Sequence, residues 1–195
     1  MKKLLLIFSI TTLLTGCLGI GGGGTTTGGS SSATDPNFTR YEHTAFSIDT
    51  PKDWEVINSQ NFTSNVPQEA VVGFRNNLRN EIFTANVNVS QTITPTEITS
   101  EDLGKSTLTK AKESLVGFKE IGKNPVTLAY GTEGISTFIS TFEGKKTPAD
   151  PIIRFKQLYA ANKGAGYVIT AAYLPTEDES VVKMTDEMLN SFSLK

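Results

Sequence analysis

Ile152-Ile153-Arg154-Phe155-Lys156-Gln157-Leu158-Tyr159-Ala160-Ala161, then Asn162-Lys163-Gly164-Ala165, then Gly166-Tyr167-Val168-Ile169-Thr170-Ala171-Ala172-Tyr173: this stretch decides the fold. Two runs rich in β-branched, aromatic and small apolar residues flank a cluster of turn formers, Asn162 to Gly166, the pattern of two antiparallel strands. Upstream, Gly134 to Phe142 reads as a third strand, joined to the pair through Gly144-Lys145-Lys146-Thr147-Pro148. The three predict an antiparallel meander.

Working outward, Tyr41-Glu42-His43 and Ala45 to Ile48 read as a first strand or strand pair, with Phe46 and Ile48 on one face. Pro51 breaks it, and Trp54 with Val56 resumes an extended segment. Asn58 to Gln68 reads as a loop. Ala70 to Arg75 and Phe83 to Thr92 predict a hairpin; in the second run Ala85, Val87 and Val89 alternate with Asn86, Asn88 and Ser90, as in a sheet with one wet face. Thr99 and Asp102 form a capping pair. After it Leu103, Thr107, Leu108, Ala111 and Leu115 recur at helical spacing, and Gly117 is the expected stop. Phe118 to Ile121 and Pro125 to Ala129 read as two short strands. Thr176 with Glu179 is a capping box that opens a second helix to about Ser191. Its buried face is Val181, Val182, Met184, Met188 and Leu189, and Phe192 and Leu194 follow. Strands, helix, strands, helix without internal repeat make an α+β domain, an antiparallel sheet flanked by helices.

The 195 residues carry 18 Lys+Arg, 20 Asp+Glu, one His and one Cys, a formal net charge of −2. Removing residues 1–16 takes Lys2 and Lys3, leaving 16 basic against 20 acidic residues and a net −4. That balance is no footprint for nucleic acid, which would need a basic stripe or domain. A lone cysteine excludes an internal disulfide framework and any cysteine-cluster metal site, and a lone histidine, His43, excludes His-pair motifs.

Met1-Lys2-Lys3 is a positive n-region, followed by an apolar run from Leu4 to Leu14 interrupted only by Ser9, Thr11 and Thr12. Such a run of about eleven residues is too short for a span of roughly twenty, so it reads as an export signal. Leu14-Thr15-Gly16-Cys17 closes it and resembles the lipobox of bacterial lipoproteins. The resemblance implies signal cleavage between Gly16 and Cys17 and a diacylglyceryl thioether on Cys17, usually with N-acylation, palmitate being a typical chain. Two or more chains anchor stably where one holds only marginally. The expected location is the cell membrane, lipid-anchored and facing outside the cytoplasm.

Residues 18–35 are dominated by Gly, Thr and Ser and cannot bury enough apolar surface to offset ordering entropy. About eighteen residues of Gly-rich coil reach roughly 20–25 Å. Gly19, Gly21 and Gly24 match G-x-G-x-x-G, yet no strand precedes and no helix follows, so a nucleotide site is not expected. The expected organisation is signal peptide 1–16, lipidated cysteine and tether 17–37, and folded domain 38–195.

Within that domain, Phe46-Ser47-Ile48-Asp49-Thr50-Pro51-Lys52-Asp53-Trp54 is similar to the F-x-I-x-x-P-x-x-W entry of the PsbP-like domain. Tyr159 to Tyr173 and the terminal Asn190-Ser191-Phe192 resemble the same family, over roughly residues 38–195. The resemblance implies a PsbP-like α/β/α sandwich and a mostly non-enzymatic role. In that family a photosynthetic branch assists an oxygen-evolving complex, a nuclear-transport branch binds the GTPase Ran, and many bacterial members are lipoproteins. The chain carries no partner signature of either branch.

Candidate sites are few. His43 lies near Glu42 and Asp49, but neighbouring strand residues point to opposite faces, so a surface histidine is expected. Glu177, Asp178 and Glu179 fit the first turn of a helix; Asp150 fits a turn. Lys105, Lys110 and Lys112 fit a solvated helix face, and Trp54 a core position. No G-x-S-x-G is present, and no cysteine stays free once Cys17 is acylated. The expectation is therefore a module with no catalytic residues, no metal and no cofactor. Its partners would be membrane lipid, through Cys17, and a membrane or envelope protein met by an edge strand or sheet face. The alternative is an envelope-acting hydrolase with residues the sequence does not identify.

Overall fold

A computed structural model describes residues 35–62, 69–130 and 133–195. Among these the elements follow as β1 (Phe38–Glu42), β2 (Phe46–Pro51), β3 (Glu55–Asn58), β4 (Ala70–Arg75), β5 (Asn86–Ile93), α1 (Ser100–Ser114), β6 (Val116–Tyr130), β7 (Glu133–Lys145), β8 (Ile153–Asn162), β9 (Ala165–Tyr173), α2 (Glu179–Ser191) and β10 (Ser193–Leu194). A seven-stranded antiparallel sheet runs in the order β3-β4-β5-β9-β8-β7-β6, and β1-β2-β10 form a second, smaller one. The predicted meander is its backbone: β8 pairs β7 from Ile139↔Leu158 to Gly144↔Ile153 and pairs β9 from Arg154↔Tyr173 to Asn162↔Ala165. Lys163 (φ 47) and Gly164 (φ 84) make the tight turn between β8 and β9. Two successive left-handed residues are what a two-residue hairpin needs.

Helix α1 covers one face of the large sheet, over β7 and β8, while α2 and the small sheet cover the other. The α+β class and the antiparallel sheet flanked by helices are therefore observed. The second sheet is an addition to what the sequence predicts. It forms because β10 returns to pair with β2, Leu194 opposite Phe46, at the far end of the chain.

The main core lies under α2. Phe46 and Ile48 from β2, Val72 and Phe74 from β4, Val87 and Val89 from β5, Leu158, Ile169, and Met188 with Leu189 from α2 are all fully shielded. Period-two alternation put each of these strand residues on the same face. The predicted stripe of α1, Leu103, Thr107, Leu108, Ala111 and Leu115, is buried throughout. On α2, Val181, Met188 and Leu189 are buried. Val182 and Met184 are only half-buried, and Thr185 takes a fully buried place instead.

Several predicted boundaries move. Helix α1 is capped as expected, the Thr99 hydroxyl accepting from Asp102 N at 3.1 Å. It ends at Ser114 with Leu115 as its C-cap, so Gly117 (φ 67) belongs to the following strand. The two short strands expected after it are one 15-residue strand, β6. Pro125 is accommodated because β6 is the edge of the sheet, where a missing donor need not face a neighbour. Helix α2 is capped by Asp178, which accepts from Ser180 N at 2.8 Å, in place of Thr176. Phe83 precedes its strand; it packs from the β4–β5 loop against Leu108, Ala111 and Leu174.

Candidate functional site

Gly16 and Cys17, the predicted cleavage and lipidation residues, lie outside the described residues, as does nearly all of the 17–37 segment. The described residues begin at Asp35. There Phe38 N donates to Asp35 O (3.0 Å), Lys52 N donates to Asn37 O (3.0 Å), and Lys52 Nζ donates to Pro36 O (2.5 Å). The entry point is thus tied to the connection between β2 and β3.

His43 does not meet Glu42 and Asp49 in one site. Its ring stacks on Phe46 at 4.6 Å, and its Nδ1 accepts from Ala45 N at 3.3 Å. Burial, and then the charge of Lys195, hold its imidazole below the ordinary value, so it is neutral at pH 7. Asp49 pairs with Arg40 at 2.8 Å, and Glu42 with Lys195 at 2.5 Å. Asp178 caps α2 and Glu179 sits in its first turn, while Asp150 Oδ2 accepts from Thr147 N at 2.8 Å in a turn. Lys105 pairs with Glu101 (3.7 Å) and Asp102 (3.6 Å) on the exposed side of α1. Trp54 is buried in the core as predicted. Among the described residues no group of three or more His, Cys, Asp or Glu is placed to hold a metal ion.

A buried polar arrangement that the sequence does not announce lies beneath α1. In register across the large sheet run Gly73, Asn88, Thr170, Gln157, Ser140 and Lys123. Gln157 and Ser140 are buried, and next to them Tyr159 is fully shielded. The Tyr159 hydroxyl donates to Gln157 Oε1 (3.1 Å) and lies 2.5 Å from Ser140 Oγ, and Gln157 Nε2 donates to Thr170 Oγ1 (3.0 Å). With the phenol proton committed to Gln157, Ser140 is the donor to Tyr159. Thr137 Oγ1 donates to Tyr159 O at 2.8 Å.

Burial pushes the Tyr159 phenol far above its ordinary value. The Ser140 hydrogen bond pulls the other way, and the charge of Glu120 adds to the rise. The group therefore stays neutral at any physiological pH and keeps its phenol proton. The arrangement contains neither carboxylate nor imidazole, so it stores hydrogen bonds and offers no acid–base pair. Alternation placed Gln157, Tyr159, Ser140 and Thr170 on one face, and that was the available signal. In sequence a mixed polar and aromatic face looks like ordinary strand texture.

Two surface features stand out among the described residues. Strand β6 is an edge strand, mostly exposed from Val116 to Asn124. Two register shifts, Pro125 and Lys119, Glu120 and Lys123 interrupt it. Bulges, proline and charge are the usual means of keeping an edge from pairing with other chains. The other surface is the loop between β4 and β5, where Leu78 and Ile82 are exposed. Asn77 Nδ2 donates to Asp53 O, tying this loop to the turn beside the chain's entry point.

The chain matches no protein-family model and no curated protein. Among solved structures, cyanobacterial PsbP from Synechocystis superposes with a TM-score of 0.53 at 14% identity, over 87% of this chain and 99% of its own. A protein of unknown function from Pseudomonas aeruginosa superposes with a TM-score of 0.52 at 13% identity, over 80% of this chain and 95% of its own. At such identities the likeness is one of fold, and the fold is PsbP-like.

Proposed function

We propose that this chain is an extracytoplasmic lipoprotein, held on the cell membrane through lipid on Cys17, whose PsbP-like domain is a non-catalytic binding or assembly-assisting module. The observation that carries the reading is the order of the N-terminal sequence. A basic start, an apolar run of sub-spanning length, a small residue and the only cysteine are followed by a Gly/Thr/Ser run leading to the folded domain. The hydrogen bonding beneath α1 supports the non-catalytic part, since its polar groups are engaged with one another and none is an acid or base near neutrality. Fold does not carry the partner with it, so the partner is left to experiment.

The test compares the native chain with Cys17→Ser. The native chain is expected in the membrane fraction and the variant in the soluble fraction. A variant that stays with the membrane removes the anchor from the proposal. In-cell crosslinking with mass spectrometry then reads the partner. One envelope protein crosslinked by the native chain alone supports a tethered module, while absence of any enriched protein argues against it.

A further inference from the structure

We propose that Leu78 and Ile82, flanked by Lys52 and Arg79, are the face on which the domain rests against the phospholipid bilayer that carries Cys17; this rests on the lipid-anchor reading above. Leu78 is 77% exposed and Ile82 58%, and both project from one loop. The loop is held by its own side chains: Leu78 N donates to Asn76 Oδ1 (3.0 Å), Ile82 N to Asn80 Oδ1 (2.8 Å) and Asn80 N to Thr84 Oγ1 (3.2 Å). Phe83, next to Ile82, is buried against α1 and pins the loop from below. A loop so fixed presents its two large apolar side chains outward.

Position identifies the occupant. Asn77 bonds to Asp53, Asp53 follows Lys52, and Lys52 bonds to Pro36 and Asn37. One short turn, Pro51 to Trp54, therefore separates the apolar loop from the point where the anchor-bearing segment joins the fold. That segment's composition gives a coil reach of roughly 20–25 Å, whereas a domain of this length is roughly 40 Å across. The end carrying the segment is thus the end held nearest the lipid. Ile93, at 93% the most exposed large apolar side chain among the described residues, lies at the other end of β5 and serves as the internal contrast. Charge supplies little of the attraction, because Asp53 and Glu81 offset Lys52 and Arg79. Apolar insertion is the driving term, and contact should change little with salt.

The test uses the full lipidated chain. With the Cys17 thiol in thioether linkage, Leu78→Cys or Ile93→Cys supplies a single free thiol for an environment-sensitive fluorophore. Each labelled chain is reconstituted into phosphatidylethanolamine–phosphatidylglycerol vesicles containing nitroxide-labelled lipid. The label at 78 should be quenched several-fold more than the label at 93. A label at Arg79→Cys should lose its quenching when Leu78→Gln and Ile82→Gln are added. Equal quenching at 78 and 93, or stronger quenching at 93, in a chain that floats with the vesicles overturns this face and leaves the anchor standing. A native chain that does not float overturns the anchor and this face together.

Discussion

The two faces of the large sheet are stabilised differently. Under α2 and the small sheet the contacts are apolar: Phe46 lies 5.4 Å from the Phe192 ring and 5.8 Å from Tyr167, and Met188 and Leu189 fill the space between α2 and the strands. Under α1 the apolar contacts divide into two smaller groups, one around Phe142 and Phe155 and one around Phe138 and Tyr159. Beside the second runs the Ser140–Tyr159–Gln157–Thr170 hydrogen-bond chain. Apolar packing is tolerant of repacking, whereas a buried polar chain requires every member in place. The α2 face, which holds the larger buried apolar group, should carry the larger share of stability. The α1 face sets where the helix sits, with Ser100 Oγ accepting from Ala161 N at 2.9 Å and Gly104 letting the helix approach the rings of Phe138 and Tyr159.

Phe46→Ala strikes the centre of the apolar face and should lower unfolding free energy by about 3–5 kcal/mol in denaturant titration. A loss below about 1 kcal/mol would erase the contrast between the faces. On the other face Gly104→Ala places a Cβ 2.6 Å from Phe138 and 2.7 Å from Tyr159. The overpacking should cost about 1–3 kcal/mol and alter the near-ultraviolet circular dichroism of those rings. Tyr159→Phe leaves Gln157 Oε1 and Ser140 short of a partner and should cost about 1–2 kcal/mol. Thr99→Ala, which removes the α1 cap, should cost about 1 kcal/mol.

Alkali separates the faces in another way. Burial first, and then the charge of Asp186, push Tyr173 on the α2 side up to about 12, while Tyr159 lies higher still. An unfolded tyrosine ionises near 10, so above that pH the folded chain binds more protons than the unfolded one. The stability from these two phenols is whole below about pH 10 and is lost as pH rises through 10 to 12 and beyond. Spectrophotometric titration of native protein should show Tyr173 ionising before Tyr159, with Tyr159→Phe removing the last step.

Much of this fold was legible because its strands alternate cleanly. Val87 and Val89 against Asn86 and Asn88, or Leu158 and Ala160 against Gln157 and Tyr159, each declare two faces. The Thr99 cap and the α1 stripe were equally explicit. What the sequence obscured depends on neighbours. Pro125 stops a strand in isolation and is harmless at an edge. Asp178 wins the α2 cap from Thr176 through local backbone geometry, its φ of −58 and ψ of 137 presenting the carboxylate to Ser180 N. The pairing of β10 with β2 joins segments some 146 residues apart, and no local pattern announces it. The hydrogen-bond chain was hidden for the same reason, because Ser140, Gln157 and Thr170 meet only through strand register.

That long-range pairing bears on the order in which the chain can mature. Strand β2 supplies Phe46 and Ile48 to the core, yet one of its edges is completed only by Ser193 and Leu194, and Asp49 N is satisfied by Ser191 Oγ at 2.8 Å. A chain emerging amino-terminus first therefore reaches its terminal residues before this core can close. Contacts of such sequence separation form late and slowly. Under the export proposed above, that delay would serve the chain: strand β2, crossing early, is barred by topology from its final pairing until Ser193 and Leu194 have followed it.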